Sequence, residues 1–137
     1  GCRACRPVCD DGRVVRLGTI VMGASDVDRA VEFWSAALGY EAVEFPDSEN
    51  GFTILRPPSG DGTRVALQRD DRAADPVPRV HLDLIVDSAA EQRREIERLV
   101  GLGAAEVEWG SYPPDPDFVV LADPVGNRFC VVDAGHG

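Results

Sequence analysis

Phe52-Thr-Ile-Leu55-Arg-Pro-Pro58-Ser-Gly60 and Phe118-Val-Val-Leu121-Ala-Asp-Pro124-Val-Gly126 carry Phe, Leu, Pro and Gly at the same internal spacing, 66 residues apart. Upstream of each, Leu38-Gly39-Tyr-Glu-Ala-Val-Glu44 is echoed 64 residues later by Leu102-Gly103-Ala-Ala-Glu-Val-Glu108, and each stretch follows a candidate helix. Self-similarity at a fixed period marks one supersecondary unit present twice. Two open sheets that curl against each other enclose space, so the repeat predicts a cavity at their junction.

Each unit reads as β-α-β-β-β. In the first, Arg16 to Ala24 is a short apolar, β-branched run of strand length, and Ser25 or Asp26 is placed to cap a helix. Val27, Ala30, Val31, Trp34 and Leu38 then repeat at helical period, and Gly39 stands where the helix must end. Strands are expected at 40–45, 52–55 and 64–68, separated by Asp47-Ser-Glu-Asn-Gly51 and Pro57-Pro-Ser-Gly-Asp-Gly62. The second unit opens with a strand at 80–86 and a cap at Asp87 or Ser88. Its helix presents Ala89, Ile96, Leu99 and Val100 as an apolar stripe, with Glu91, Arg94, Glu95 and Arg98 as solvent-facing charge in four-residue pairs. Strands at 104–109, 118–122 and 128–133 complete it. Between the first two lies the most distinctive loop, Gly110-Ser-Tyr-Pro-Pro-Asp-Pro-Asp117, stiffened by three prolines and given aromatic surface by Trp109 and Tyr112.

The fold class is therefore α+β: two tandem modules, at about 14–68 and 79–133, forming a curved mixed sheet around a central cavity, with a polar linker at 69–78 and a tail at 134–137. A chain of 137 residues at 44% hydrophobic composition supports one such domain. No apolar run reaches the roughly 20 residues of a membrane span, and no apolar signal segment is evident at the start, so the expectation is a cytoplasmic protein without membrane partners. A net charge of -10 opposes contact with phosphate backbones, which argues against nucleic acid and weakly favours cationic ligands. Arg without Lys, in a chain rich in Ala, Gly, Val, Pro and Asp, suggests a GC-rich bacterial genome. Cys2, Cys5 and Cys9 cluster in residues 1–13, a stretch without periodicity that reads as a disordered or peripheral leader; a structural zinc site there lacks its fourth ligand.

Strand-Asp-helix-Leu-Gly openings, and the closing run Leu121-Ala-Asp-Pro-Val-Gly-Asn-Arg-Phe-Cys130, make the chain resemble the vicinal oxygen chelate superfamily. Within it, the resemblance is to the subgroup of glyoxalase-like domains, near glyoxalase I, bleomycin resistance proteins and extradiol dioxygenases. The resemblance implies the fold over residues 14–133 and leaves the activity open, because members span isomerases, transferases, dioxygenases and non-catalytic drug binders. It also implies metal ligands on the first and last strand of each module, which fall here on Thr19, Ala66, His81 and Cys130. One His and one Cys do not make three good protein ligands, so the usual metal site reads as dismantled and no cofactor is expected.

His81, the sole His inside the expected fold, reads as a leftover ligand, a general base, a hydrogen-bond donor to a ligand, or a satisfied strand histidine. Asp83, two residues on, points to the same face and could orient it. Cys130 reads as a small buried hydrophobe. Thr19, Phe52, Ala66, Gln68, His81, Asp83, Trp109, Tyr112 and Cys130 form the candidate ligand-binding set, with His81 and Asp83 as the candidate catalytic pair. Three functions remain open: a metal-independent small-molecule binding protein, an enzyme acting through His81 with or without a metal (a lyase, isomerase or dioxygenase), and an accessory module with an idle cavity. A homodimer is expected, since open sheet edges invite a partner.

Overall fold

The computed structural model describes residues 12, 14–43 and 51–137; Cys2, Cys5, Cys9 and the second half of the strand expected at 40–45 lie outside them. In chain order the first module contains β1 (Thr19–Ala24), α1 (Val27–Leu38), β2 (Glu41–Val43), β3 (Phe52–Arg56) and β4 (Arg64–Arg69). The second contains β5 (Leu82–Val86), α2 (Ala89–Leu102), β6 (Ala105–Glu106), β7 (Phe118–Ala122) and β8 (Arg128–Asp133). Each set of strands forms its own four-stranded mixed sheet, ordered β1-β4-β3-β2 and β5-β8-β7-β6. In both, the first and last strands pair in parallel and the others antiparallel. The duplication read in the sequence is thus a duplication of topology. No helix among the described residues is long and apolar enough to cross a membrane.

Local chemistry sets the element ends. The Asp26 side chain accepts the Arg29 amide at the start of α1, and Gly39 closes the helix at φ 70°, a left-handed backbone that glycine adopts without steric penalty. Ser88 caps α2 in the same way. Glu91, expected as half of a charge pair, instead accepts the Asp87 amide, closing the helix start from the other side. Leu55 and Leu121 are fully buried, and Gly60 and Gly126 accommodate positive φ of 84° and 97° in turns closed by Gly60 N–H to Pro57 O and Gly126 N–H to Asp123 O. The shared Phe, Leu, Pro and Gly positions are therefore strand, core and turn positions in both copies.

Three sequence expectations need correction. The strand expected at 104–109 stops at Glu106, because the Tyr112 hydroxyl accepts the Val120 amide at 2.8 Å and stands in for the strand partner beyond that point. On α2, Val100 is exposed while Leu99 is buried and Ile96 packs beside it, so the buried stripe is narrower than the pattern implied. Arg98 is exposed as expected, but it pairs with Glu95 at a three-residue rather than a four-residue spacing, and it donates to the carbonyls of Ala36 and Ala37, the orphan acceptors at the end of α1. That bond ties the two helices together. His136 in the tail lies 3.0 Å from Asp115.

The core is continuous across the modules. Trp34 and Phe33 of α1 meet Phe129 of β8, with ring centroids of Trp34 at 5.0 Å from each of the other two rings in edge-on contacts. Trp34 is fully buried, and its indole N–H donates to the carboxylate of Asp123, itself 3% exposed, at 2.9 Å. The same carboxylate accepts the amides of Val125 and Asn127, which fixes the Asp123-Pro-Val-Gly-Asn127 turn, while Asn127 Nδ2 donates to Gly23 O on β1. Trp34→Phe is expected to leave Asp123 short of a donor in a buried site, costing about 1–3 kcal/mol. Urea unfolding should read this as a lower midpoint at unchanged slope; a loss below about 0.5 kcal/mol, the range of ordinary surface changes, would show that the indole does not hold the carboxylate.

Candidate functional site

Alternation along the second sheet separates two chemistries. Leu82, Leu84, Phe129 and Val131 face the helices and the core. The residues between them, His81, Asp83, Arg128, Cys130 and Val132, face the other way, joined across the ladder by Phe118 and Val120 of β7. That second face carries a cavity of about 420 Å³, of the size that holds small organic ligands. Val77, Pro78, Trp109, Phe118, Val120 and Val132 give it apolar walls, and His81, Asp83, Asp117, Arg128 and Cys130 give it polar ones. Val77 and Pro78 come from the linker, so the segment between the modules closes one side.

Within the cavity, Asp83 pairs with Cys130 across the parallel β5–β8 ladder, and its Oδ1 lies 3.0 Å from His81 Nε2. The imidazole and the carboxylate are both about half exposed, whereas the thiol is buried. Donor atoms of His81, Asp83 and Cys130 all lie within 4.8 Å of one another. Burial, and after it the negative charge and hydrogen bond of Asp83, push the Cys130 thiol up to about 11. A thiol held that high keeps its proton at neutral pH, which agrees with the reading of Cys130 as a small buried hydrophobe and not as a nucleophile. A His with a carboxylate at hydrogen-bond distance has one ring nitrogen engaged and the other free to accept a proton or meet a ligand.

Of the residues singled out in the sequence, His81, Asp83, Trp109 and Cys130 line this cavity together. Thr19, Phe52, Ala66 and Gln68 do not join them; they share one face of the first sheet, where Val21, Ala66 and Ile54 are in register across β1, β4 and β3. His81 also borders a smaller groove that it shares with Ile20, Val21 and Met22 of β1. Tyr112 stands behind the wall rather than in it, stacked on Phe118 at 5.2 Å and bonded to the Val120 amide. Arg128, Asp117 and the linker residues escaped the sequence reading. Arg128 was in principle findable, because it precedes Cys130 by two and so shares its face.

The four positions that the resemblance gives for metal ligands do not gather a donor set. Thr19 offers a hydroxyl and Ala66 only a methyl group, and both belong to the other sheet. What does gather is the trio His81, Asp83 and Cys130, and Asp83 is not one of the four positions.

Comparison with known proteins agrees with this architecture. The profile of the glyoxalase-like domain matches residues 19–132. The chain belongs to that family, within the vicinal oxygen chelate superfamily. Among solved structures it is similar to the hypothetical protein SA1046 from S. aureus, at 15% identity and a TM-score of 0.67, covering 93% of this chain and 100% of that one. It is also similar to a glyoxalase-related enzyme from Fulvimarina pelagi, at 19% identity and a TM-score of 0.63 over 88% of each chain. A glyoxalase/bleomycin resistance protein/dioxygenase family enzyme from Burkholderia phytofirmans PsJN matches at 14% identity and a TM-score of 0.66, over 87% of this chain and 98% of that one. Identities this low establish a common fold and nothing finer. No curated protein matches the sequence.

The thiol supplies a direct test of the site's electrostatics. In the presence of a chelator, alkylation of Cys130 followed by peptide mapping should be slow at pH 8, where about one thiol in a thousand is ionised, and should accelerate up to pH 11. Asp83→Asn should shift the profile to lower pH. A Cys130 rate at pH 8 matching an exposed thiol would contradict the described burial.

Proposed function

We propose that this glyoxalase-like domain binds a small organic molecule in the cavity on the second sheet, without the usual four-position metal centre of the superfamily. The observation that carries the reading is the cavity's make-up: apolar walls that include Trp109, and polar side chains among which His81 and Asp83 are paired. Such a division suits a ligand with an aromatic or aliphatic body and a single hydrogen-bonding or cationic head group. Asp83 and Asp117, which outnumber Arg128 in the cavity wall, and the negative net charge favour a cationic head. The 3.0 Å contact between His81 and Asp83 supports a second reading, in which the same pair moves a proton on a bound substrate as a lyase or isomerase would require. Dioxygenase chemistry draws no comparable support from the described residues.

Ligand binding to the native state must raise its melting temperature. In chelator-containing buffer, a panel of aromatic amines and α-ketoaldehydes is expected to contain members that stabilise the wild-type protein. His81→Ala and Trp109→Ala should lose most of that shift while melting, unliganded, close to wild type, because both side chains are at least partly exposed. Equal shifts in the variants would place binding elsewhere. Turnover of the ketoaldehydes that disappears in His81→Ala would favour the second reading.

We also infer a homodimer. Val21 and Ile85, at 52% and 59% exposure on the edge strands β1 and β5, and Val80 beside them, present apolar surface that a partner would cover. Light scattering at micromolar concentration should give twice the chain mass of 14.7 kDa, and the mass of a single chain would refute the inference.

A further inference from the structure

We propose that His81, Asp83 and Cys130 form a three-ligand site for a borderline-soft divalent cation of the zinc type, built by the second module alone. The inference shares the His81–Asp83 corner with the organic-ligand reading but needs none of the apolar walls, and it is tested without any organic compound.

Three observations converge on it. The donor set is an imidazole nitrogen, a carboxylate oxygen and a sulfur, a combination that selects zinc-like ions over magnesium or calcium, which prefer oxygen alone. Its geometry is close to what such an ion demands. In a tetrahedral zinc site, neighbouring ligand atoms stand roughly 3.5 Å apart; here His81 and Asp83 are at 3.0 Å and all three donors fall within 4.8 Å, a difference that side-chain torsions can absorb. The ladder itself makes the trio, because Asp83 and Cys130 are register partners on adjacent parallel strands and His81 is one alternation away.

Charge balance points the same way. An aspartate and a thiolate set side by side as register partners on adjacent strands would repel each other. A divalent cation reverses this: the Sγ–H proton leaves to solvent as the Sγ–metal bond forms, and Asp⁻, Cys⁻ and M²⁺ sum to zero. Three protein ligands leave the fourth tetrahedral position for water or a ligand atom from the cavity, the open arrangement of reactive rather than structural zinc sites.

The test uses the full chain carrying Cys2→Ser, Cys5→Ser and Cys9→Ser, so that the N-terminal thiols cannot contribute, and titrates zinc alone by calorimetry and cobalt alone by absorption spectroscopy. The expected result is one zinc per chain and a thiolate-to-cobalt charge-transfer band. Cys130→Ser in the same background should abolish the band, and Asp83→Ala should weaken zinc binding by about tenfold or more. Asp83→Ala alters an exposed side chain and so carries the test by itself if Cys130→Ser loses its fold, which circular dichroism would reveal. Absence of zinc binding in the triple-serine protein, or binding unchanged by Asp83→Ala, would overturn the site. Since no organic compound is present, either result leaves the organic-ligand reading to be judged on its own.

Discussion

The buried carboxylate of Asp123 is the contact on which the rest of the structure depends. It accepts two amides of its own turn and the indole N–H of Trp34, so one side chain shapes the β7–β8 connection and pins α1 of the other module against it. A carboxylate this deeply buried is tolerable only when its lone pairs are filled, and here each oxygen has partners. The bond therefore couples the fold of the turn to the docking of the modules: neither is satisfied without the other. Around it, the Phe33, Trp34 and Phe129 rings fill the junction, Asn127 reaches β1, and Arg98 covers the carbonyl end of α1.

This arrangement decides where chemistry can occur. With both helices and the shared core on one face of the second sheet, the residues of the opposite face are left to line the cavity. Strand alternation then does the sorting, sending Phe129 and Val131 to the core and Cys130 and Val132 to the cavity within four consecutive residues. The linker adds Val77 and Pro78, and the proline-stiffened loop places Tyr112 so that its hydroxyl replaces a strand partner and props the wall at Phe118 and Val120.

The two copies of the repeat have kept their scaffold and diverged in their reactive positions. By register, Thr19 corresponds to His81, Val21 to Asp83 and Ala66 to Cys130, so every donor of the polar corner stands in the second copy where the first has a weak ligand or none. Asp123 likewise occupies the place that Pro57 holds in the first copy, by the same 66-residue offset. The asymmetry explains why, among the described residues, the gathering of imidazole, carboxylate and thiol lies on the second sheet. It also limits what membership of the family implies, since the residues that would span both modules in a shared metal centre are absent from the first.

Cys130 was set with His81 only by what the resemblance implies; the sequence by itself determined the duplication, the β-α-β-β-β order, a first-helix cap at Ser25 or Asp26 with its end at Gly39, and the face shared by His81 and Asp83. All of these follow from local periodicity, turn chemistry and alternation, which act over a few residues and are written directly in the chain. Only the tertiary structure decided that Trp34 would bond to Asp123 across 89 residues, that Arg98 would reach the carbonyl end of the other helix, and that β6 would end early because a tyrosine hydroxyl took over its ladder. It also decided that Thr19, Phe52, Ala66 and Gln68 would stand apart from the cavity that holds His81. Each of these depends on how two separately hydrogen-bonded sheets pack, and packing joins residues that no spacing along the chain relates.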